Sequence, residues 1–218
     1  MKKKGFIFDL DGVIVDTAKY HYLAWKKLAD HLGFEFTHDH NELFKGVSRK
    51  KCLEILLDIG DIKSSPKQFD SWMTEKNLDY LEYIEKMDNS EILPDVPRVL
   101  DYLKSRNLPI ALGSASKNAR PILEKVKLIQ YFDAIVDGNN VTKAKPDPQV
   151  FLYAAKELSV EPSGCIVFED AIAGVQAANN AEMISIGIGD AEVLSEADYN
   201  FKNFKEIENS FIKGLIER

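Results

Sequence analysis

This sequence predicts an α/β fold: a doubly wound parallel sheet with an inserted all-helical cap domain. Three observations predict it. Short apolar runs alternate with helical patterns from residue 94 onward, which is the signature of a parallel sheet covered by helices. The stretch 17–87 is helical in pattern, with no strand-like run inside it. Polar clusters stand at the ends of successive strand-like runs, and in an open α/β sheet ligands bind at those ends.

Element by element, 5–8 (Gly-Phe-Ile-Phe) reads as the first strand. The segment 18–32 reads as a helix, with apolar positions at Tyr22, Leu23, Trp25, Ala29 and Leu32 and a stop at Gly33. Further helices are expected at 49–59 and 66–86, the second begun by Pro66, which suits a first helical position. Beyond Leu93-Pro94-Asp95 the expected order is helix 96–106, strand 109–112, helix 117–126, strand 134–137, helix 148–158, strand 165–168, helix 171–179 and strand 183–188. The expected division is a core of 1–16 and 88–218 and a cap of 17–87, lying over the strand ends.

Composition narrows the class. The 218 residues, 45% of them hydrophobic, suffice for one large or two modest domains. The 28 basic and 35 acidic residues give a net charge of −7, which argues against broad nucleic-acid binding. It does not argue against phosphorylated substrates, because a local cation can reverse the local field. Apolar runs are too short to span a bilayer. Met1-Lys2-Lys3-Lys4 looks like the charged start of a signal peptide, but Asp9 and Asp11 interrupt the apolar run that should follow. Cys52 and Cys165 lie in separate apolar contexts and are expected to be buried free thiols, in keeping with a cytoplasmic location.

The first strand runs into Asp9-Leu10-Asp11-Gly12, with Gly12 allowing the chain to turn away at once. Two carboxylates there suit Mg²⁺, a hard cation that prefers oxygen and leaves room for phosphate. They also suit covalent catalysis, since a carboxylate can carry a phosphoryl group. The same residues fit an ordinary turn, with Asp16 and Thr17 capping the next helix. The second strand ends in Gly113-Ser114-Ala115-Ser116-Lys117-Asn118. Hydroxyls and main-chain N–H groups at such a turn make a phosphate cradle, although a helix cap by Ser116 would explain them as well. Lys143-Ala144-Lys145-Pro146 offers two lysines for one phosphate-neutralising role. Phe168-Glu169-Asp170 ends the fourth strand, and adjacent acids there call for a cation unless a helix N-terminus satisfies them.

Together these four motifs, in this order, resemble those of the haloacid dehalogenase-like phosphotransferase superfamily, and the resemblance covers essentially the whole chain. The cap segments Thr17-Ala18-Lys19-Tyr20-His21 and Lys45-Gly46-Val47-Ser48-Arg49, with the Ser114 to Asn118 turn, resemble those of the β-phosphoglucomutase family. That resemblance implies interconversion of β-glucose 1-phosphate and glucose 6-phosphate through an aspartyl-phosphate and β-glucose 1,6-bisphosphate. It implies Asp9 as nucleophile and Mg²⁺ ligand, and Asp11 as general acid/base with its main-chain carbonyl on the metal. Glu169 and Asp170 would complete the protein's share of the Mg²⁺ shell. Ser114 and Lys145 would hold the transferring phosphoryl group. Arg49, Ser116, Lys117 and Asn118 would take the distal phosphate. Lys45, Gly46 and Val47 would face the sugar, and Thr17 and His21 would couple the hinge to Asp11.

The expected partner is a small phosphorylated sugar, with no nucleic acid and no membrane, and the expected state is a monomer. A sugar or polyol phosphate phosphatase is the alternative, and a catalytically silent binding protein on the same fold is a second. Two departures from the family pattern stand out. Ala171 replaces a hydroxyl residue after the acidic pair, and Asn180-Ala181 replaces a glycine turn, where Asn180 is expected to stop the helix in the left-handed conformation.

Overall fold

The computed structural model describes residues 3–44 and 47–217. Its sheet has six parallel strands: β1 (Gly5–Phe8), β2 (Ile110–Gly113), β3 (Ala134–Val136), β4 (Cys165–Glu169), β5 (Ile184–Ile188) and β6 (Tyr199–Phe201). They lie in the order β3-β2-β1-β4-β5-β6. The connection reverses direction between β1 and β4, and such a reversal opens a crevice at the carboxyl ends of those two strands.

β1, β2 and β4 are buried along their whole length, as parallel strands covered on both faces must be. Alternation then divides their side chains between two cores. Phe6, Phe8, Leu112, Ile166 and Phe168 face one layer, with α5 (Val96–Ser105), α6 (Ala119–Lys125) and α9 (Asn209–Glu217). Ile7, Ala111 and Val167 face the other, with α7 (Gln149–Glu157) and α8 (Ile172–Asn180). Phe8 pairs with Phe168 across the sheet, and their rings stack at 4.5 Å. This register sets the strand ends level: Asp9 N–H donates to Phe168 O at 3.0 Å.

Between β1 and β2 lies the helical insertion: α1 (Ala18–Leu32), α2 (His38–Glu42), α3 (Arg49–Ile59) and α4 (Pro66–Ile84). It has its own apolar cluster around Trp25, Leu28, Phe36, Leu53 and Leu56. The two connecting segments are bonded to each other: Asp16 N–H donates to Glu91 O and Leu93 N–H to Ile14 O. The insertion therefore hangs from a paired double connection beside the β1 end.

Most expected elements stand within a few residues of their places. α2 was not foreseen, because a five-residue helix is too short to show a period; its Thr37/His40 capping box is the local cause. β6 and α9 were not foreseen either. β6 is a three-residue edge strand of partly buried residues, and α9 carries Gly214 inside a short apolar stripe. The expectation for Asn180 is corrected. Asn180 is the last helical residue of α8, its amide donates to Pro146 O, and the left-handed residue is Glu182 (φ 57°). Cys52 and Cys165 are buried free thiols, and among the described residues no helix is long and apolar enough to cross a membrane.

Gly33 ends α1 with φ 87°, and a Cβ there would meet no atom within 4 Å. Gly33→Ala therefore adds left-handed strain without a clash. The expected loss of stability is about 1–2 kcal/mol, read from the urea unfolding midpoint.

Candidate functional site

The β1 and β4 ends hold a buried charge cluster. Lys145, from the loop before α7, places Nζ 2.6 Å from Asp9 Oδ1 and in a still shorter bond with Glu169 Oε1. All three side chains are almost fully enclosed. Burial alone would depress the Lys145 ammonium, but Asp9 and Glu169 overcome it and hold the group above its usual range. The competing lysine, Lys143, is exposed and paired with Asp147 at 3.2 Å. Geometry thus separates two lysines that sequence left equivalent.

Glu169 stands behind Lys145. Its second oxygen accepts from Ala171 N–H at 2.9 Å. Burial raises its pKa and Lys145 opposes that. Gly174 makes the room, since a Cβ there would fall 1.9 Å from Glu169 Cδ. Gly12 plays the same part for Asp170: φ is 80°, and a Cβ would lie 2.0 Å from Asp170 Oδ2.

Asp11 is partly buried beside Asp9. Burial, reinforced by the Asp9 charge, pushes its carboxyl up to about 6. Thr17, fully buried, gives its hydroxyl to Asp11 Oδ1 in a short bond. Thr17 is the residue at the start of α1 but makes no side-chain cap bond, so the capping explanation for this threonine does not hold. His21 Nε2 stands 3.9 Å from the same oxygen, and its ring stacks on Tyr80 at 4.2 Å. Burial, then Lys76 and Arg49, hold the His21 pKa well below the ordinary value, so the ring is neutral.

Lys76 is the functional candidate that motif reading missed. It is 1% exposed, and Nζ lies 2.9 Å from His21 Nδ1 and over the rings of Trp25 and Tyr80 at 4.6 and 4.7 Å. Burial, with Arg49 nearby, pulls its pKa down to about 7. One signal was present: Met73, Lys76 and Tyr80 share a helix face, placing a lysine on an apolar stripe.

These groups surround a cavity of about 390 Å³ between the sheet ends and the insertion. Asp9, Asp11, Asp170, Ser114, Ser116, Lys117 and Lys145 line the core side, and His21, Val47, Arg49 and Lys76 the other. Ser114 Oγ accepts from Ser116 N–H, and Ser116 Oγ from Asn118 N–H, which folds the turn into two side-chain-closed loops. The Arg49 side chain makes no hydrogen bond or ion pair among the described residues, and burial lowers its pKa. Thr17, Asn118 and Glu169 are adjacent to the cavity but do not line it. The Asn118 amide instead donates to Asn77 Oδ1 of α4 at 3.0 Å. Lys45 and Gly46 lie outside the described residues.

Carboxylates are the donors gathered at the strand ends, with no thiolate or imidazole among Asp9, Asp11 and Asp170. That set suits a hard divalent cation such as Mg²⁺. Among the described residues no three acidic, His or Cys side chains form a ready-made shell. A cation that keeps several waters and takes substrate oxygens fits such an open arrangement.

The chain matches the family model of the haloacid dehalogenase-like hydrolases over residues 3–182. It belongs to that family. Within it, the chain is 43% identical to the β-phosphoglucomutase of Bacillus subtilis, covering 89% of this chain and 87% of that protein. The crystal structure of β-phosphoglucomutase from Clostridium difficile superposes with a TM-score of 0.94 at 39% identity, covering 99% and 97% of the two chains. A phosphorylated carbohydrates phosphatase of Thermotoga maritima is 32% identical over 88% of this chain and 89% of its own length.

The depressed Lys76 pKa has a consequence for stability. Its folded value of about 7 lies below the ordinary 10.5, so between those pH values the unfolded chain binds more protons. Stability should therefore rise with pH across that window, by at most about 1.4 kcal/mol per pH unit for one proton. Lys76→Met should abolish this component, so the variant's stability advantage at pH 7 shrinks toward pH 10. Chemical denaturation of both proteins across that range measures it.

Proposed function

We propose that this chain is a Mg²⁺-dependent mutase that interconverts β-glucose 1-phosphate and glucose 6-phosphate through an aspartyl-phosphate on Asp9. One observation carries the reading: the partly buried Arg49 side chain lines the cavity with no carboxylate or hydrogen-bond partner among the described residues, alongside Lys76. A partly buried guanidinium without a partner gains charge-assisted hydrogen bonds when an anion joins it. Its place across the cavity from Asp9 provides for a second phosphate. A phosphatase needs one phosphate site, whereas a mutase must hold a bisphosphate with either end at the nucleophile.

In this reading the division into a core of 1–16 and 88–218 and a cap of 17–87 lets the cap close on substrate and exclude water. Asp9 accepts the phosphoryl group, which Lys145 and Ser114 orient and partly neutralise. Asp11, Asp9 and Asp170 would hold Mg²⁺, Asp11 through its carbonyl, and the ion would supply further charge neutralisation of the phosphoryl oxygens. Glu169 contributes as the counter-charge that fixes Lys145 rather than through a free oxygen. Phosphorylated Asp9 passes the group to the sugar 6-hydroxyl while Asp11 removes that hydroxyl's proton. The bisphosphate then turns end for end, Asp9 takes the phosphoryl group from C1, and Asp11 returns the proton to the departing oxygen.

A carboxyl tuned to about 6 is well matched to taking and giving a proton near neutral pH. Thr17 and neutral His21 hold Asp11 in place. Arg49 and Lys117, with the Ser116 and Asn118 turn, take the distal phosphate, and Val47, with Lys45 and Gly46, faces the sugar. A monomer in the cytoplasm, with its two thiols reduced, completes the proposal.

The test follows product formation from β-glucose 1-phosphate with Mg²⁺ and a trace of β-glucose 1,6-bisphosphate. Bisphosphate-dependent glucose 6-phosphate with little free phosphate is expected. Free phosphate as the main product would assign the chain to the phosphatases instead. Asp9→Asn should reduce both products to background, and retained turnover would remove Asp9 as nucleophile. Arg49→Ala should lower mutase kcat/KM by about 10²-fold or more, as loss of a charged hydrogen bond in a closed site does. Hydrolysis of acetyl phosphate, which has no distal phosphate, should fall far less.

A further inference from the structure

Asn41 has no part in the roles above. It sits in α2, is 8% exposed, and lines the same cavity beside Trp25 and Phe44. Its main chain is fully engaged: N–H donates to Thr37 O at 3.2 Å and the carbonyl accepts from Phe44 N–H at 3.0 Å. Its side-chain Oδ1 is buried with no hydrogen-bond partner among the described residues. Turning the amide over would leave a polar atom unpaired in the same place.

A structural explanation does not account for this. The α2 N-terminus is already capped by Thr37 and His40, so Asn41 is not needed there. An unpaired buried amide destabilises the fold relative to a leucine of similar size. Trp25 meets Phe44 edge-on at 5.4 Å, so the neighbouring wall is aromatic. One amide set in an apolar, aromatic wall is the make-up of a site that orients a small neutral polar group. In the proposed reading Arg49 and Lys117 serve the charged phosphate, whereas a carboxamide oxygen accepts from a hydroxyl.

We infer that Asn41 is a specificity-determining residue that hydrogen-bonds a ring hydroxyl of the sugar. This rests on reading the cavity as a sugar-phosphate site. It assigns to the cap a means of telling one hexose phosphate from another by a neutral group, apart from the phosphate-binding cations.

Three proteins test it: the intact chain, Asn41→Leu and Asn41→Asp. Their substrates are β-glucose 1-phosphate, its 2-, 3- and 4-deoxy analogues, and acetyl phosphate as a sugar-free phosphoryl donor. Asn41→Leu should raise KM for β-glucose 1-phosphate about tenfold and affect acetyl phosphate far less. The unsubstituted chain should use one deoxy analogue about tenfold less well than the parent sugar, and Asn41→Leu should lose that discrimination. Asn41→Asp, which keeps an acceptor, should retain part of it. The thermal midpoint of Asn41→Leu should hold or rise.

Equal losses on sugar and acetyl phosphate, or unchanged discrimination among all three analogues, would overturn the assignment. So would a lowered midpoint with unchanged kinetics, which marks a structural residue. Should the unsubstituted chain release free phosphate instead of isomerising the sugar, the mutase reading fails, while the same analogue comparison on phosphate release still decides the role of Asn41. No turnover of any sugar phosphate would overturn both.

Discussion

The ammonium of Lys145, enclosed between the carboxylates of Asp9 and Glu169, is the interaction on which the rest of the site depends. A lone ammonium could not stay charged at such depth, because burial drives it toward its neutral form. The two carboxylates flanking Lys145 outweigh burial and hold its ammonium above the usual range. The arrangement needs the Phe8–Phe168 register, which sets the ends of β1 and β4 level. It also needs a bare Cα at Gly174, where any side chain would collide with Glu169. A strand register and a helix glycine far apart in sequence thus serve one ion cluster.

The cluster is not balanced. Lys145 faces Asp9 and Glu169, and Asp11 and Asp170 add acid on the same side. Burial, reinforced by the neighbouring Asp9 charge, is why the Asp11 carboxyl is pushed up to about 6. The opposite wall carries the reverse surplus in Arg49 and Lys76, with Lys76 over the rings of Trp25 and Tyr80. An anion between the two walls, with a cation on the acidic side, would relieve both. The bonded double connection at Ile14–Leu93 and Asp16–Glu91 joins these walls at one edge and carries Thr17, whose hydroxyl holds Asp11. The position of the insertion and the position of Asp11 are therefore set by the same short segment.

Several residues show where sequence reading works. Runs of apolar residues gave β1, β2 and β4, because strands buried on both faces have no polar positions to break the run. Gly33 and Pro66 marked helix ends through their own backbone limits. The acidic and hydroxyl residues at strand ends were visible because nothing in a core explains them. Elements without a period were not visible: α2 is set by a capping box over five residues, and β6 by its place at the sheet edge. Lys76 was passed over because lysines are ordinarily solvated, and only the packing of α4 against α1 reveals one sealed beside His21.

The sequence by itself determined the fold class, the helical insertion and the set of groups at the strand ends, since these follow from local periodicity and from residue types that a core would not keep. Tertiary structure decided which of Lys143 and Lys145 meets Asp9, that both Glu169 oxygens are already engaged, and that the Arg49 side chain finds no partner among the described residues. It also tied Asn118 to Asn77 across the sheet and insertion. Those outcomes depend on distances between segments brought together only by the strand order β3-β2-β1-β4-β5-β6. Burial, which sets the charge and the cost of each group, exists only once the segments have packed.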